Sequence, residues 1–178
     1  MKILIAAAAL ASLFVPATPA IASTDAASKV STPAWFEDHW IDIASDWEEA
    51  TACDAGLEEI ICYRDEAAMD RAIGAHHVPS AGTATLATLI CVSSLRLYDG
   101  TSFTGAVLFL STRWLVLNLS VYGFDNRTSS YKVGGCDTDF YSAANLGGSL
   151  YPGNTSAGAQ AATMLSGWSN AISSVYIY

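Results

Sequence analysis

Apolar and polar positions follow a helical period in the first half of the chain. Between residues 35 and 49, five apolar side chains recur among acidic ones: Trp35, Phe36, Trp40, Ile43 and Trp47. This spacing predicts an amphipathic helix. A second helix is predicted from Asp65 to about Ala75, because alanines, Met69 and Ile73 share one face there.

Short apolar runs bounded by turn residues predict β-strands elsewhere. One run, residues 60–63, lies between the two predicted helices, and the others are residues 95–98, 106–110, 115–119 and 175–178. Helical periodicity is absent after residue 90, which indicates a β-sandwich or barrel in that half. Residues 80–88 are mostly Ala, Thr, Gly and Ser, a composition typical of a linker.

The first 22 residues have the pattern of a signal peptide. Lys2 precedes an apolar run over residues 3–15, and residues 20–22 (Ala-Ile-Ala) have the small-x-small form of a cleavage site. The apolar run is shorter than the ~20 residues that span a bilayer, and Pro16 and Pro19 follow it. We therefore expect cleavage before Ser23 and a secreted protein, extracellular or periplasmic, without a membrane span in its mature form.

Composition and charge further limit the possible classes of partner. The 178 residues are 52% hydrophobic and 14% charged, which indicates a packed globular protein. The formal charge of −9 is concentrated in residues 23–90, with 13 acidic and three basic residues, whereas residues 91–178 have four of each. An acidic surface disfavours nucleic acid, which needs a cationic stripe, and favours a multivalent cation. The imbalance also predicts two regions with different roles.

Four cysteines form an even set that permits three pairings. Their spacings fit neither a CxxC redox motif nor a zinc knuckle, so structural disulfides are expected in an exported protein. We predict Cys53–Cys62 and Cys91–Cys136, because each of these bonds closes a loop within one region. Residues 23–90 are thus expected to be an acidic region with helices and a disulfide hairpin.

An internal repeat spans the second half. Tyr98 is followed seven positions later by Gly105, and Tyr141 is followed in the same way by Gly148, at an offset of 43. Residues 124–130 (FDNRTSS) recur as residues 168–174 (WSNAISS), at an offset of 44. The conserved order predicts two four-stranded units, about 91–135 and 136–178. Each unit alone would expose an apolar face, and the two together would close one sandwich core.

These residues resemble the βγ-crystallin superfamily, whose Greek-key motifs carry an aromatic-x6-Gly hairpin and a later serine. The resemblance covers residues 91–178 and extends to the calcium-binding branch. That branch is recognised by six consecutive positions: Asn/Asp, Asn/Asp, two unrestricted residues, Ser/Thr and Ser. Residues 125–130 match all four constrained positions, whereas residues 169–174 depart at the first, where Ser169 stands. The implied fold is mainly β, with two Greek-key motifs forming one βγ-crystallin-like sandwich and a short α-containing N-terminal segment.

The resemblance also implies calcium as a cofactor, bound where the two loops exchange ligands. One ion is expected between Ser129 and Asn170, and another between Ser173 and Asn126. Asp99, Arg127, Ser142 and Ala171 would contribute backbone carbonyls. Asp125 is the one carboxylate in either loop. Affinity in the micromolar to millimolar range of extracellular modules is therefore expected.

Three classes of function fit the sequence to different degrees. A secreted, non-enzymatic calcium-binding protein fits the duplicated loops, the acidic charge and the export signal. A secreted metalloproteinase inhibitor is the alternative, because the Cys91 to Cys136 frame also resembles secreted bacterial relatives of the same fold that inhibit such peptidases. An enzyme is disfavoured, because the sequence has no GxSxG, HExxH, CxxC or phosphate-loop motif.

Overall fold

Strands dominate the computed structural model, which describes residues 30–76 and 90–178. The predicted signal peptide (1–22) and linker (80–88) lie outside the described residues. One α-helix, α1 (Glu66–His76), accompanies strands β1 (Pro33–Phe36), β2 (His39–Asp42), β3 (Ala52–Ala55), β4 (Ile60–Tyr63), β5 (Ile90–Tyr98), β6 (Val107–Thr112), β7 (Val116–Asn118), β8 (Ser130–Lys132), β9 (Thr138–Ala143), β10 (Gly147–Leu150), β11 (Gln160–Ala161) and β12 (Ser174–Ile177). No helix in the described ranges is long and apolar enough to cross a membrane.

Two sheets divide the strands between them. The larger sheet has the order β11-β8-β5-β6-β3-β4-β1-β2, and the smaller has the order β10-β9-β12-β7. Strands β5 to β8 form the first repeat unit and β9 to β12 the second, but the third strand of each unit, β7 or β11, pairs in the sheet of the other unit. The predicted two-motif Greek-key sandwich is thereby confirmed.

The same hairpin geometry occurs in both units. Gly105 and Gly148 have φ values of 79° and 72°, which are left-handed conformations that favour glycine. A Cβ at Gly105 would lie 2.1 Å from Asp99 Oδ1, and one at Gly148 would lie 2.4 Å from Ser142 Oγ. The aromatic-x6-Gly pattern therefore marks a position where the folded hairpin has no room for a side chain.

A serine fastens each hairpin to the following part of its unit. Ser130 Oγ donates to Gly100 O at 2.6 Å and accepts from Phe103 N at 3.1 Å. In the second unit Ser174 Oγ donates to Ala143 O at 2.6 Å and accepts from the corresponding Leu146 N at 3.0 Å. Both hydroxyls are buried, so each satisfies backbone groups that water cannot reach.

The predicted helix over residues 35–47 is wrong. This segment contains the antiparallel hairpin β1–β2, which turns at Glu37, whose φ is 53°. Trp35 pairs with Trp40 across the hairpin, with ring centroids 5.2 Å apart. The buried positions are Ala34, Phe36, Ile41 and Ile43. They alternate along each strand with a period of two, and the turn between the strands makes the combined spacing look helical.

The N-terminal region continues the larger sheet. Strand β3 pairs in parallel with β6, and β4 and the β1–β2 hairpin follow it outward. Cys53 and Cys62 are opposite each other on β3 and β4 and form a disulfide. Cys91 and Cys136 form the second, across a sequence separation of 45. Both predicted pairings are confirmed, as is the predicted strand over residues 60–63.

The predicted second helix is also confirmed, as α1. It packs against β3 and β4 of the larger sheet, with a hydrophobic cluster separate from the main core. Its Met69 is fully buried in a small cluster with Tyr98, Val107 and Phe109. The Tyr98 hydroxyl donates to Glu66 Oε1 at 2.7 Å. Burial, reinforced by this hydrogen bond, raises the pKa of Tyr98. The hairpin tyrosine of the first unit therefore packs under the helix.

One main core lies between the sheets and includes residues of the N-terminal region. Trp47 is 6% exposed and its ring lies 5.6 Å from that of Phe124. Ile43 is fully buried in the same core. A fragment of residues 91–178 would lose these two side chains from the core and expose the edge of β6.

Replacing Trp47 in the full chain tests how much the N-terminal region contributes to the core. Trp47→Ala should lower the free energy of unfolding by about 3–5 kcal/mol, because it leaves a large cavity in the core. The matched control is Trp40→Ala, since Trp40 is 60% exposed and loses chiefly its ring contact with Trp35, about 0.5–1.5 kcal/mol. Denaturant unfolding of both variants measures the difference. Equal losses would contradict a core role for Trp47.

Candidate functional site

The loops before β8 and β12 lie side by side and bond to each other reciprocally. Asn126 and Asn170 have φ values of 54° and 56°, so the repeated asparagines adopt the same left-handed conformation. Asn126 N donates to Ile172 O, and Asn170 N donates to Thr128 O, both at 2.9 Å. The backbone therefore holds the two loops in a two-fold arrangement, with each asparagine directed at the opposite loop.

The side chains predicted as exchanged ligands meet across this arrangement. Ser129 Oγ donates to Asn170 Oδ1 at 3.0 Å, and Ser173 Oγ donates to Asn126 Oδ1 at 3.4 Å. The two serines are buried and the two asparagines are exposed, so each pair has one oxygen fixed by packing and one facing solvent. These are the pairs that the family resemblance implies as shared ligands, and calcium binding by them stays a prediction.

Backbone contacts place Asp99 and Ser142 beside these pairs. Ser129 N donates to Tyr98 O and Ser173 N to Tyr141 O, both at 2.8 Å, and Asp99 and Ser142 are the next residues along each hairpin. Their side chains are already engaged. Asp99 Oδ1 accepts from Ala106 N at 2.7 Å, and Ser142 Oγ accepts from Ser149 N at 2.8 Å. Each hairpin side chain thus closes its own turn.

Asp125 orients the amide of its neighbour. Asn126 Nδ2 donates to Asp125 Oδ2 at 3.1 Å, which leaves Asn126 Oδ1 directed towards Ser173. In the other loop Ser169 occupies the corresponding position, and its hydroxyl lies 3.2 Å from Ser129 Oγ. Asp125, the one carboxylate of the two loops, therefore orients the Asn126 side chain. The second loop has the Ser169 hydroxyl at the position of Asp125.

The side chain of Arg127 supports the first loop in a way that the sequence pattern does not indicate. Its guanidinium donates to Gly123 O at 2.9 Å and to Asp99 Oδ2 at 2.7 Å. It also lies over the rings of Phe124 and Trp47, at 4.9 and 5.5 Å. The second loop has Ala171 and Ser142 at the corresponding positions, so it lacks this charged pair.

Trp47 joins the N-terminal region to the same loop. Its indole Nε1 donates to Tyr122 O at 2.8 Å. The chain approaches so closely that a Cβ at Gly123 would lie 2.2 Å from Ile43 O. Sequence reasoning missed this role because it placed Trp47 on a helix, and no local pattern marks a contact across 75 positions.

The oxygen donors of these loops are neutral apart from Asp125. Within residues 30–76 and 90–178, no group of three or more His, Cys, Asp or Glu side chains could hold a metal ion. The chemistry available at the loops is that of amide, hydroxyl and backbone carbonyl oxygens, which are the hard donors that calcium accepts. Soft transition metals have no thiolate or imidazole donor at these loops.

No family model and no curated protein matches the chain. Among solved structures it is similar to a βγ-crystallin domain from Clostridium beijerinckii, with 22% identity and a TM-score of 0.40 over 48% of this chain and 97% of that one. It is also similar to a βγ-crystallin from Ciona intestinalis, with 20% identity and a TM-score of 0.40 over 48% and 99%. The N-terminal domain of protein S is similar at 21% identity and a TM-score of 0.40, over 48% and 94%. The first two of these structures carry the name of the βγ-crystallins, the superfamily that the residue pattern of this chain resembles.

A buried hydroxyl lies beneath the loops, and its removal should stabilise the protein. Thr128 is fully buried and its Oγ1 has no hydrogen-bond partner within the described part of the chain, whereas Ile172 fills the equivalent position of the second loop. Thr128→Val keeps the shape and removes the unsatisfied group, so it should raise the free energy of unfolding by about 1–3 kcal/mol. The exposed Thr163→Val is the control, with an expected change within about 0.5 kcal/mol. A destabilised Thr128→Val variant in denaturant unfolding would show that the hydroxyl is satisfied in solution.

Proposed function

We propose that this chain is a secreted, non-enzymatic calcium-binding protein whose two sites lie between the paired loops. The observation that supports this proposal best is the reciprocal contact of Ser129 with Asn170 and of Ser173 with Asn126. The export signal and the two disulfides are compatible with an extracellular or periplasmic location, where calcium is available to weak sites.

The spacing of the donor oxygens is compatible with a shared calcium ion. Two oxygens bound to one ion at 2.3–2.6 Å, and separated by roughly a right angle or slightly less, lie about 3–3.5 Å apart. The two serine–asparagine pairs have oxygen separations of 3.0 and 3.4 Å. An ion would lie between the two oxygens of each pair, and the serine hydroxyl would keep its proton and turn it away from the asparagine oxygen. The carbonyls of Asp99 and Arg127 would be next to one pair and those of Ser142 and Ala171 next to the other.

Local charge limits the affinity. Asp99 is paired with Arg127, so its carboxylate is largely compensated, and Asp125 is engaged with the amide of Asn126. A calcium ion would therefore be held chiefly by dipoles, and few formal negative charges would reinforce them. Weak binding follows, in the micromolar to millimolar range of extracellular modules.

Thermal unfolding with and without calcium tests the proposal directly. Calcium bound by the folded loops and not by the unfolded chain should stabilise the protein by about 2.7 kcal/mol at a hundred times the dissociation constant. Magnesium should do less, because it demands octahedral geometry and loses water reluctantly. Identical unfolding midpoints in chelator and in several millimolar calcium would remove the calcium proposal. The metalloproteinase-inhibitor hypothesis would then lead, and a peptidase inhibition assay would examine it.

Calorimetric titration of single variants tests the exchange of ligands between loops. Ser129→Ala and Asn170→Ala should weaken one and the same site, whereas Ser173→Ala and Asn126→Ala should weaken the other. The site of Ser173 should be weaker in the unaltered chain, because Ala171 and Ser142 on its side lack the charged pair that Arg127 and Asp99 form in the first loop. The exposed Ser166→Ala serves as the control and should change neither site. Pairing of the effects within one loop, Ser129 with Asn126, would contradict the exchange.

A further inference from the structure

A polar pocket lies at the end of the smaller sheet and uses none of the loop residues discussed above. It has a volume of about 280 Å³ and is lined by Asp137, Thr138, Asp139, Thr155, Ser156 and Tyr178. Every lining residue has an oxygen-bearing side chain, and none of them is cationic. The volume is near the lower end of the range of roughly 300–1,000 Å³ for ligand pockets, which suits one small ring.

Backbone hydrogen bonds fix the walls of the pocket. Thr138 N donates to Thr155 O at 3.0 Å, and Tyr178 N donates to Asp137 O at 2.9 Å. Asp137 Oδ1 in addition accepts from Ala157 N at 2.7 Å, which ties the turn at residues 155–157 to the start of β9. The pocket is therefore preformed, and a ligand would meet little ordering cost in it.

The carboxylates of the pocket retain free acceptor capacity. Asp139 Oδ2 accepts from the hydroxyls of Tyr178, at 2.5 Å, and Tyr141, at 3.4 Å. Within the described ranges neither Asp137 nor Asp139 has a basic partner, and Asp137 Oδ2 and Asp139 Oδ1 accept no hydrogen bond. The bond to Asp139 raises the pKa of Tyr178 to about 12, so its phenol keeps its proton at neutral pH. The pocket thus favours a ligand that donates hydrogen bonds.

Exposed aromatic rings extend from one wall of the pocket. Tyr178 is 40% exposed, and its ring lies 5.0 Å from that of Tyr176 and 6.2 Å from that of Trp114. Trp114 is itself 47% exposed. Tyr and Trp rings offer a large apolar contact area and a polar tip, and they lose little conformational entropy when a ligand binds. The site combines hydrogen-bond acceptors in a pocket with an aromatic surface beside it.

We propose that this pocket binds a sugar residue that carries no negative charge. A sugar ring has hydroxyls that can donate to Asp137 Oδ2 and Asp139 Oδ1, and it has an apolar C–H face that can pack on Tyr178. A phosphate, sulfate or uronic acid would meet two carboxylates, which is unfavourable. The neighbouring cation, Arg113, is not among the residues that line the pocket, and it is engaged with the Tyr178 carbonyl and the Trp114 ring. A purely apolar ligand would leave the carboxylates desolvated and unpaired.

A set of sugars that share a ring and differ in charge tests the proposal by NMR on the full mature protein. The probes are the methyl glycosides of glucose, galactose and mannose as neutral members, glucosamine as the positive one and glucuronic acid as the negative one. At least one neutral glycoside should shift the backbone amides of residues 155–157 and 178. Glucosamine should bind at least as well as the glucoside, and glucuronic acid about tenfold more weakly or not at all. Amide shifts with no member of the set, or equal binding of glucuronic acid and glucosamine, would overturn the proposal.

Two variants locate the binding. Tyr178→Ser removes the exposed ring and should weaken the best glycoside at least about fivefold, because the C–H face loses its partner. Asp137→Asn combined with Asp139→Asn should abolish the preference for glucosamine over glucuronic acid. Trp40→Ala and Glu58→Gln are the controls, since they remove an exposed ring and an exposed charge elsewhere and should change neither measurement. Unchanged binding in Tyr178→Ser, with the native circular dichroism spectrum retained, would show that the sugar binds outside this pocket.

Discussion

The exchange of third strands between the two repeat units is the constraint on which the rest of the structure depends. Because β7 pairs with β12 and β11 pairs with β8, neither sheet is complete without a strand from the other unit. The core that forms between the sheets is therefore common to both units. The same exchange brings the loops before β8 and β12 together, so the reciprocal bonds of Asn126 and Asn170 follow from the topology. Fold and candidate site are consequences of one arrangement.

Sequence reasoning succeeded where the backbone accepts few residue types. Gly105 and Gly148 stand at positive φ with no room for a Cβ, and Ser130 and Ser174 each satisfy two buried backbone groups. Such positions keep their residues at fixed spacing, so the duplication could be recognised from a single chain. The helix predicted over residues 35–47 failed for the opposite reason. Two short strands joined by a tight turn place apolar residues at intervals that also fit a helix, and the period alone cannot separate the two structures.

The contacts that connect the N-terminal region with the repeat units could not be predicted, because they are non-local. The parallel pairing of β3 with β6 joins segments more than fifty positions apart, and the hydrogen bond from Trp47 to Tyr122 spans 75. Neither contact imposes a local period or a required residue type on its neighbours. Likewise, the unsatisfied hydroxyl of Thr128 is visible only once Ile172 is seen at the equivalent position of the other loop. Charge composition distinguished an acidic N-terminal region from a second half without net charge, but it gave no information on how they pack.

The same contacts make the two loops physically unequal in spite of their matched backbones. Trp47 and the Arg127–Asp99 pair brace the first loop, whereas Ala171 and Ser142 leave the second loop without a charged support. Two effects on cation binding oppose each other at the first loop. Because the first loop is already held in place, binding an ion costs less conformational entropy there. The guanidinium of Arg127 repels a cation, but its charge is compensated by a carboxylate oxygen at 2.7 Å, so at the distance of the loop carbonyls the pair acts as a dipole and its field falls off steeply. The ordering effect should therefore dominate, and the site between Ser129 and Asn170 should be the stronger of the two in the proposed calcium-bound protein.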